Sequence, residues 1–133
     1  MTAVFDTNVL IAAIITEGIC SKLLHRARSG DFSLASCPFI MKEIRRILSR
    51  KFRLAPDAIA SAMGPIHEAV GLVVEHSLKI RRASRDADDD NVIACALAAK
   101  ADYLVTGDAD LLEMKRYQRV RIMTPRDFEA LFS

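Results

Sequence analysis

The chain has few of the residues on which most thiolate, zinc and membrane sites are built. Its three cysteines, Cys20, Cys37 and Cys95, are odd in number and have no C-x-x-C spacing. They read as small buried hydrophobes in a reduced, cytosolic setting. The three histidines, His25, His67 and His76, form no HExxH-type pair, which argues against zinc. A Walker A loop, a GxGxxG turn and a nucleophilic serine or cysteine motif are all missing, so triphosphate and acyl chemistry are disfavoured. The longest apolar run, Val9–Ile15, is too short to cross a bilayer. It follows Asp6 with no basic residue ahead of it, unlike a signal peptide. A cytoplasmic protein with no membrane partner is expected. Repeats, low-complexity tracts and linkers are absent too, so residues 1–133 read as a single domain.

What is present is an ordinary core-forming composition, 51% hydrophobic and 27% charged, with a net charge of +2. The distribution of that charge is more informative than its sum. Cations gather at Lys22–Arg28, Lys42–Arg53 and Lys79–Arg85, and acids at Asp86–Asp90 and Asp108–Asp110. A basic surround with an acidic focus suits a site that attracts a polyanion and holds cations at its centre. Solvated helix faces are the alternative reading.

The pattern predicts strands at "TAVF" (2–5), "FSLAS" (32–36), "GLVVEH" (71–76), "DYLVTGD" and "VRIMT". Helices are predicted for "NVLIAAIIT", capped by Thr7 or Asn8, and for "GICSKLLHRARSG", with Ile19, Leu23, Leu24 and Ala27 on one face. Others are Pro38 to about Ser49, Asp57 to Val70 with a break at Gly64–Pro65, Asn91–Ala101 and Pro125–Phe132. Alternating strands and helices predict an α/β fold with a mostly parallel sheet, whose ligands bind at the strands' carboxyl ends.

That edge is where Asp6 and Asp108 fall, although either could serve only as a turn or cap residue. In "PFIMKEIRRILSR", Phe39, Ile40, Ile44 and Ile47 form an apolar stripe with Glu43 inside it, while Lys42, Arg45, Arg46 and Ser49 face away. A carboxylate on that side needs compensation, either a polar cleft or an ion pair with Arg50 at the stripe's edge. In "SRDADDDNVIACALAAK", Asp86, Asp88, Asp89 and Asp90 crowd ahead of a helix burying Val92, Ile93, Ala96 and Leu97. A helix N-terminus favours such charge by only about 0.3–1 kcal/mol each. Two carboxylates about 4 Å apart repel by roughly 4 kcal/mol at an effective dielectric near 20. A divalent cation removes that repulsion. Oxygen ligands without histidine or cysteine select Mg²⁺ or Mn²⁺, which support hydrolysis of a phosphodiester, with the basic surround as a nucleic-acid groove.

The segments "VFDTNVLIAA", "KEIRRIL", "RDADDDNVIACALAAKADYLVTGDADLL" and "VRIMTPRDFEALF" resemble, in order, the PIN-domain family, especially its VapC-like toxin ribonuclease branch. The resemblance implies a three-layer α/β/α domain with a central mostly parallel sheet and Mg²⁺- or Mn²⁺-dependent cleavage of RNA. It further implies a homodimer, and a small antitoxin protein that covers the cleft. On matching positions it makes Asp6, Glu43, Asp89 and Asp108 the catalytic and metal-binding acids. Asn8 and Thr106 would line the site, with Asp110 as an accessory. This sequence has Asp90 where the branch more often has Asn, so a one-residue shift would make Asp90 the ligand in place of Asp89. Asp86 would hold the turn. A non-catalytic module with the same fold, binding RNA or a partner protein, is the competing reading. Haloacid-dehalogenase-type phosphatases want an acid where Asn8 stands, and receiver domains want paired acids after the first strand.

Overall fold

A computed structural model describes residues 1–75 and 87–132. The basic run Lys79–Arg85 and Asp86 lie outside that range, as does the side chain of Asp88. In chain order the elements are β1 (Thr2–Phe5), α1 (Thr7–Ile15), α2 (Ile19–Arg28), β2 (Ser33–Ser36), α3 (Pro38–Arg50), α4 (Pro56–Ala69) and β3 (Val70–Val73). There follow α5 (Ala87–Ala98), β4 (Tyr103–Val105), α6 (Ala109–Met114), β5 (Arg116–Tyr117), β6 (Val120–Met123) and α7 (Pro125–Ala130).

The sheet runs β3-β2-β1-β4-β6-β5. Every pairing is parallel except β5 with β6. From β1 the chain moves outward through β2 to β3, then returns past β1 to β4 and β6. Right-handed crossovers in opposite directions put their helices on opposite faces, which makes the three α/β/α layers. The reversal also leaves a crevice between the carboxyl ends of β1 and β4, where sheets of this kind bind ligands. The central strands are apolar because both faces are covered: Ala3, Val4, Phe5, Leu104 and Val105 have no exposed surface.

Local chemistry sets the element boundaries, and some depart from expectation. The cap of α1 is Asp6, neither Thr7 nor Asn8: its extended backbone leaves β1 and its Oδ1 accepts the Thr7 amide at 2.7 Å. The α2 face buries Leu23, Leu24 and Ala27, but Ile19 at the helix start is partly exposed. α4 passes through Gly64–Pro65 without a break. An interior proline costs about 3 kcal/mol or more, and burial of Met63, Ile66 and Ala69 on one helical face offsets it. α6 and β5 were not anticipated, being six and two residues long, too short for periodicity to register.

The closing helix α7 is fixed from two sides. Phe128 packs edge-on to Phe5 at 5.9 Å and to Phe32 at 5.0 Å between ring centroids. Glu129 accepts three hydrogen bonds from the Arg26 guanidinium. Cys37 and Cys95 are buried core residues, as expected, while Cys20 is only partly covered. Among the described residues no single helix is long and apolar enough to cross a membrane.

Candidate functional site

The crevice at the switch in strand order is built first by Asp6. Its amide donates to the Val105 carbonyl at 2.9 Å, which locks the exit of β1 to the end of β4. Its side chain is nearly buried. Oδ1 accepts the Thr7 amide, and Oδ2 accepts the Thr106 hydroxyl at 2.7 Å. Burial pushes the Asp6 carboxyl above its usual range, and the nearby Asp108 charge pushes the same way, while the hydrogen bonds from Thr106 and Thr7 oppose them.

Thr106 joins the two strand-end acids. Its fully buried Oγ1 donates to Asp6 and accepts the Asp108 amide at 3.0 Å. Asp108 then caps α6, accepting the Leu111 amide at 3.0 Å. This arrangement turns its carboxylate along the crevice and puts Asp110 in the first turn of α6. From the opposite wall α5 contributes Asp89, a buried residue whose Oδ2 is out of contact with water. Asp89, Asp108 and Asp110 each present an oxygen such that all three lie within 4.8 Å of one another.

Glu43 arrives from α3. The expected stripe on this helix divides in two. Ile40 and Ile44 enter the core with Met41 and Leu48, whereas Phe39 and Ile47 turn with Glu43 towards the crevice. The polar-cleft expectation is therefore met, but the cation beside Glu43 is Arg46, not Arg50. Arg46 donates from Nε to Oε1 at 3.3 Å and from Nη2 to Oε2 at 2.9 Å. Residues three apart on a helix are neighbours, and Arg50 lies nearly two turns away. Arg46 is half-exposed, and pairs of this kind contribute only about 0.3–0.5 kcal/mol.

The resulting open cleft, of about 150 Å³, is lined by Asp6, Thr7, Asn8, Phe39, Glu43, Ile47, Asp89, Val92 and Asp108. All four principal acids named from the sequence line it. Asp110 completes the close trio, and Thr106 lies beneath. Asp89 lines the cleft, and Asp90 belongs to neither the lining nor the trio. Thr7 was missed as a lining residue.

The donor set suits a hard divalent cation. All the oxygens are carboxylate, with no histidine or cysteine among them. Their oxygens lie close enough that modest side-chain rotations would bring them onto a single ion. Three ionised carboxylates at this separation repel strongly, and one such ion would offset that repulsion.

A family model described as PIN domain matches residues 2–110. The chain is similar in fold to the crystal structure of VapBC2 from Rickettsia felis bound to a DNA fragment from their promoter. The TM-score is 0.65 at 15% identity, over 92% of this chain and 97% of that one. No curated protein matches the sequence significantly. With its family model spanning most of the chain and the acids gathered where β1 and β4 part, the protein belongs to the PIN-domain family.

Proposed function

We propose that the protein is a metal-dependent endoribonuclease that hydrolyses RNA phosphodiester bonds, and that it is the toxin of a type II toxin–antitoxin pair. Asp6, Glu43, Asp89 and Asp108 are the acids that hold Mg²⁺ or Mn²⁺, with Asp110 as an accessory. The observation carrying this reading is the convergence of acids from β1, α3, α5 and the β4–α6 turn on one cleft. Of these, Asp89 and Asp108 come with Asp110 into a trio within 4.8 Å. A bound divalent ion supplies activation of water and neutralisation of charge on the phosphodiester.

The chain's own groups do the rest. Thr106 fixes the Asp6 carboxylate and, through the Asp108 amide, the start of α6, so the two strand-end acids keep a constant separation. Asn8, exposed at the mouth, offers an amide to a nucleotide. Lys42 and Arg45, exposed on α3, supply cations for the strand's phosphates. The structurally similar VapBC2 supports a small antitoxin as the partner that covers this cleft, and a homodimer is the expected assembly.

The test is cleavage of an end-labelled RNA pool by purified protein with Mn²⁺, with Mg²⁺ and with EDTA, beside an Asp6→Asn protein purified identically. Metal-dependent cutting that disappears with Asp6→Asn is the expected result. RNA retained but uncut by a folded, antitoxin-free protein would favour a non-catalytic binding module instead.

A further inference from the structure

Phe39 belongs to two depressions at once. It lines the acidic cleft with Glu43, and it also lines, with Pro38, Lys42 and Glu75, a second open pocket of about 310 Å³. The sheet brings these residues together. Phe39 follows the carboxyl end of β2, in the first turn of α3. Glu75 follows the carboxyl end of β3, where the Val74 amide still donates to the Ser36 carbonyl at 2.9 Å. Because β3 neighbours β2 and β2 neighbours β1, Asp6, Phe39 and Glu75 succeed one another along a single edge of the sheet. With strands about 4.8 Å apart, the ends of β1 and β3 are separated by about 10 Å.

The chemistry of the second pocket differs from that of the cleft. Its lining is mostly apolar, which suits neither a metal ion nor a phosphate within it. It suits the face of a flat ring. Unstacked RNA bases are characteristically held on an aromatic side chain and read at their Watson–Crick edge. Phe39 is only partly buried, so it keeps surface on which a base can stack. The two charged lining residues are both exposed. Lys42, one turn from Phe39 on the same side of α3, is placed for an adjoining phosphate. Glu75 offers two acceptor oxygens and no donor. Guanine alone presents two adjacent donors on its Watson–Crick edge to match them. Adenine and cytosine set an acceptor beside their amino group, and uracil has a single N–H between two carbonyls.

We propose that this pocket is a base-binding subsite that takes a guanine of the single strand next to the scissile phosphate, stacked on Phe39 and read by Glu75. This inference rests on the nuclease reading given under Proposed function, and it adds a sequence preference. The separation of two strands lets the phosphate lie at the acids of the cleft while a neighbouring base reaches the pocket. An apolar side chain of a protein partner would fill the same volume but leave Lys42 and Glu75 without a role.

The experiment measures binding to the full chain in Mn²⁺ by fluorescence anisotropy. The probes are short phosphorothioate single strands of uridine, with the central position uridine, guanosine, adenosine or cytidine. Wild type is expected to bind the guanosine strand about threefold to tenfold more tightly than the all-uridine strand. Phe39→Ala is expected to weaken the guanosine strand by about fivefold or more. Phe39→Leu, which keeps apolar bulk if the alanine variant fails to fold, should lose as much, and Phe39→Tyr should retain binding. Glu75→Gln is expected to abolish the guanosine preference without weakening the all-uridine strand. Lys42→Gln should weaken all four strands alike, by about twofold to threefold.

Equal binding of the guanosine and uridine strands by a wild type that cuts RNA would overturn this inference and leave the nuclease reading intact. Unchanged guanosine binding by Phe39→Leu would overturn it as well, and would assign the pocket to a protein partner. A preference that survives Glu75→Gln also refutes it. A folded wild type that neither binds nor cuts RNA sinks both readings.

Discussion

Replacing Asp108 with Asn should have opposite effects on stability with and without a divalent ion. Asp108 belongs to a trio of carboxylates within 4.8 Å of one another and also raises the charging cost of Asp6. At 4.8 Å and an effective dielectric near 20, one ionised pair repels by about 3.5 kcal/mol. Asp108 and Asp110 are only half-buried, so solvent screening reduces the relief on removing one charge to about 1–2 kcal/mol. Asparagine caps a helix as well as aspartate does, so the hydrogen bond from the Leu111 amide survives the substitution. For a chain of this size each kcal/mol moves the melting temperature by about 3–5 °C, giving an expected rise of about 3–10 °C in EDTA. With Mn²⁺ at a hundred times its dissociation constant, wild type gains about 2.7 kcal/mol. The variant, lacking one of the proposed ligands, is expected to gain much less, reversing the order of the two melting temperatures. Differential scanning fluorimetry on both proteins, in EDTA and in Mn²⁺, reads this directly. A variant melting below wild type in EDTA would refute the claim that mutual repulsion dominates the metal-free site.

The raised pKa of Asp6 has a definite sign in stability. The folded state holds this proton more tightly than the unfolded chain, so the contribution is greatest at low pH and is lost as pH rises through the raised value. In EDTA, the stability of Asp6→Asn relative to wild type should therefore improve as pH rises from about 4 towards neutrality, against a pH-independent loss from the one acceptor oxygen it removes. Glu129 works in the opposite direction, because Arg26 lowers its pKa and its contribution is lost only as pH falls through that lowered value. Thr106→Val removes the hydroxyl between Asp6 and the Asp108 amide, and should cost about 1–3 kcal/mol by chemical denaturation; Thr106→Ser should recover most of it. Phe128→Ala empties a fully buried aromatic position in contact with Phe5, Phe32 and Tyr103, and should cost about 3–5 kcal/mol in the same assay.

The parallel sheet was legible in the sequence because "TAVF", "YLV" and "VRIM" are short apolar runs bounded by turn residues, the signature of strands covered on both faces. The carboxyl-edge rule, applied to that expected parallel sheet, then drew attention to Asp6 and Asp108. Glu43 was legible because a charge on an apolar helical stripe is costly, but the stripe itself was drawn about one residue off. Helical spacing alone does not tell a core-facing Met41 and Leu48 from a cleft-facing Phe39 and Ile47. The division depends on where α5 approaches α3, a tertiary fact. The same limit applies to Asp110. Only the cap geometry of Asp108, in a six-residue helix, brings its carboxylate against those of Asp89 and Asp108. The continuity of α4 through Pro65 was hidden because the local cost of proline is visible in sequence and the compensating burial of Met63 and Ile66 is not.

The central position of β1 also bears on the birth of the molecule. Its partner on one side, β2, is synthesised soon afterwards, and β3 adds to β2, so three parallel strands with their helices can assemble while the remainder is still being made. The other edge of β1 waits for β4, roughly a hundred residues later in the chain; Asp89 comes shortly before that strand, and Asp108 and Asp110 just after it. Until then Asp6 and Glu43 are two separate acids on an unfinished edge. The acidic trio therefore closes only after the first three strands have had time to assemble.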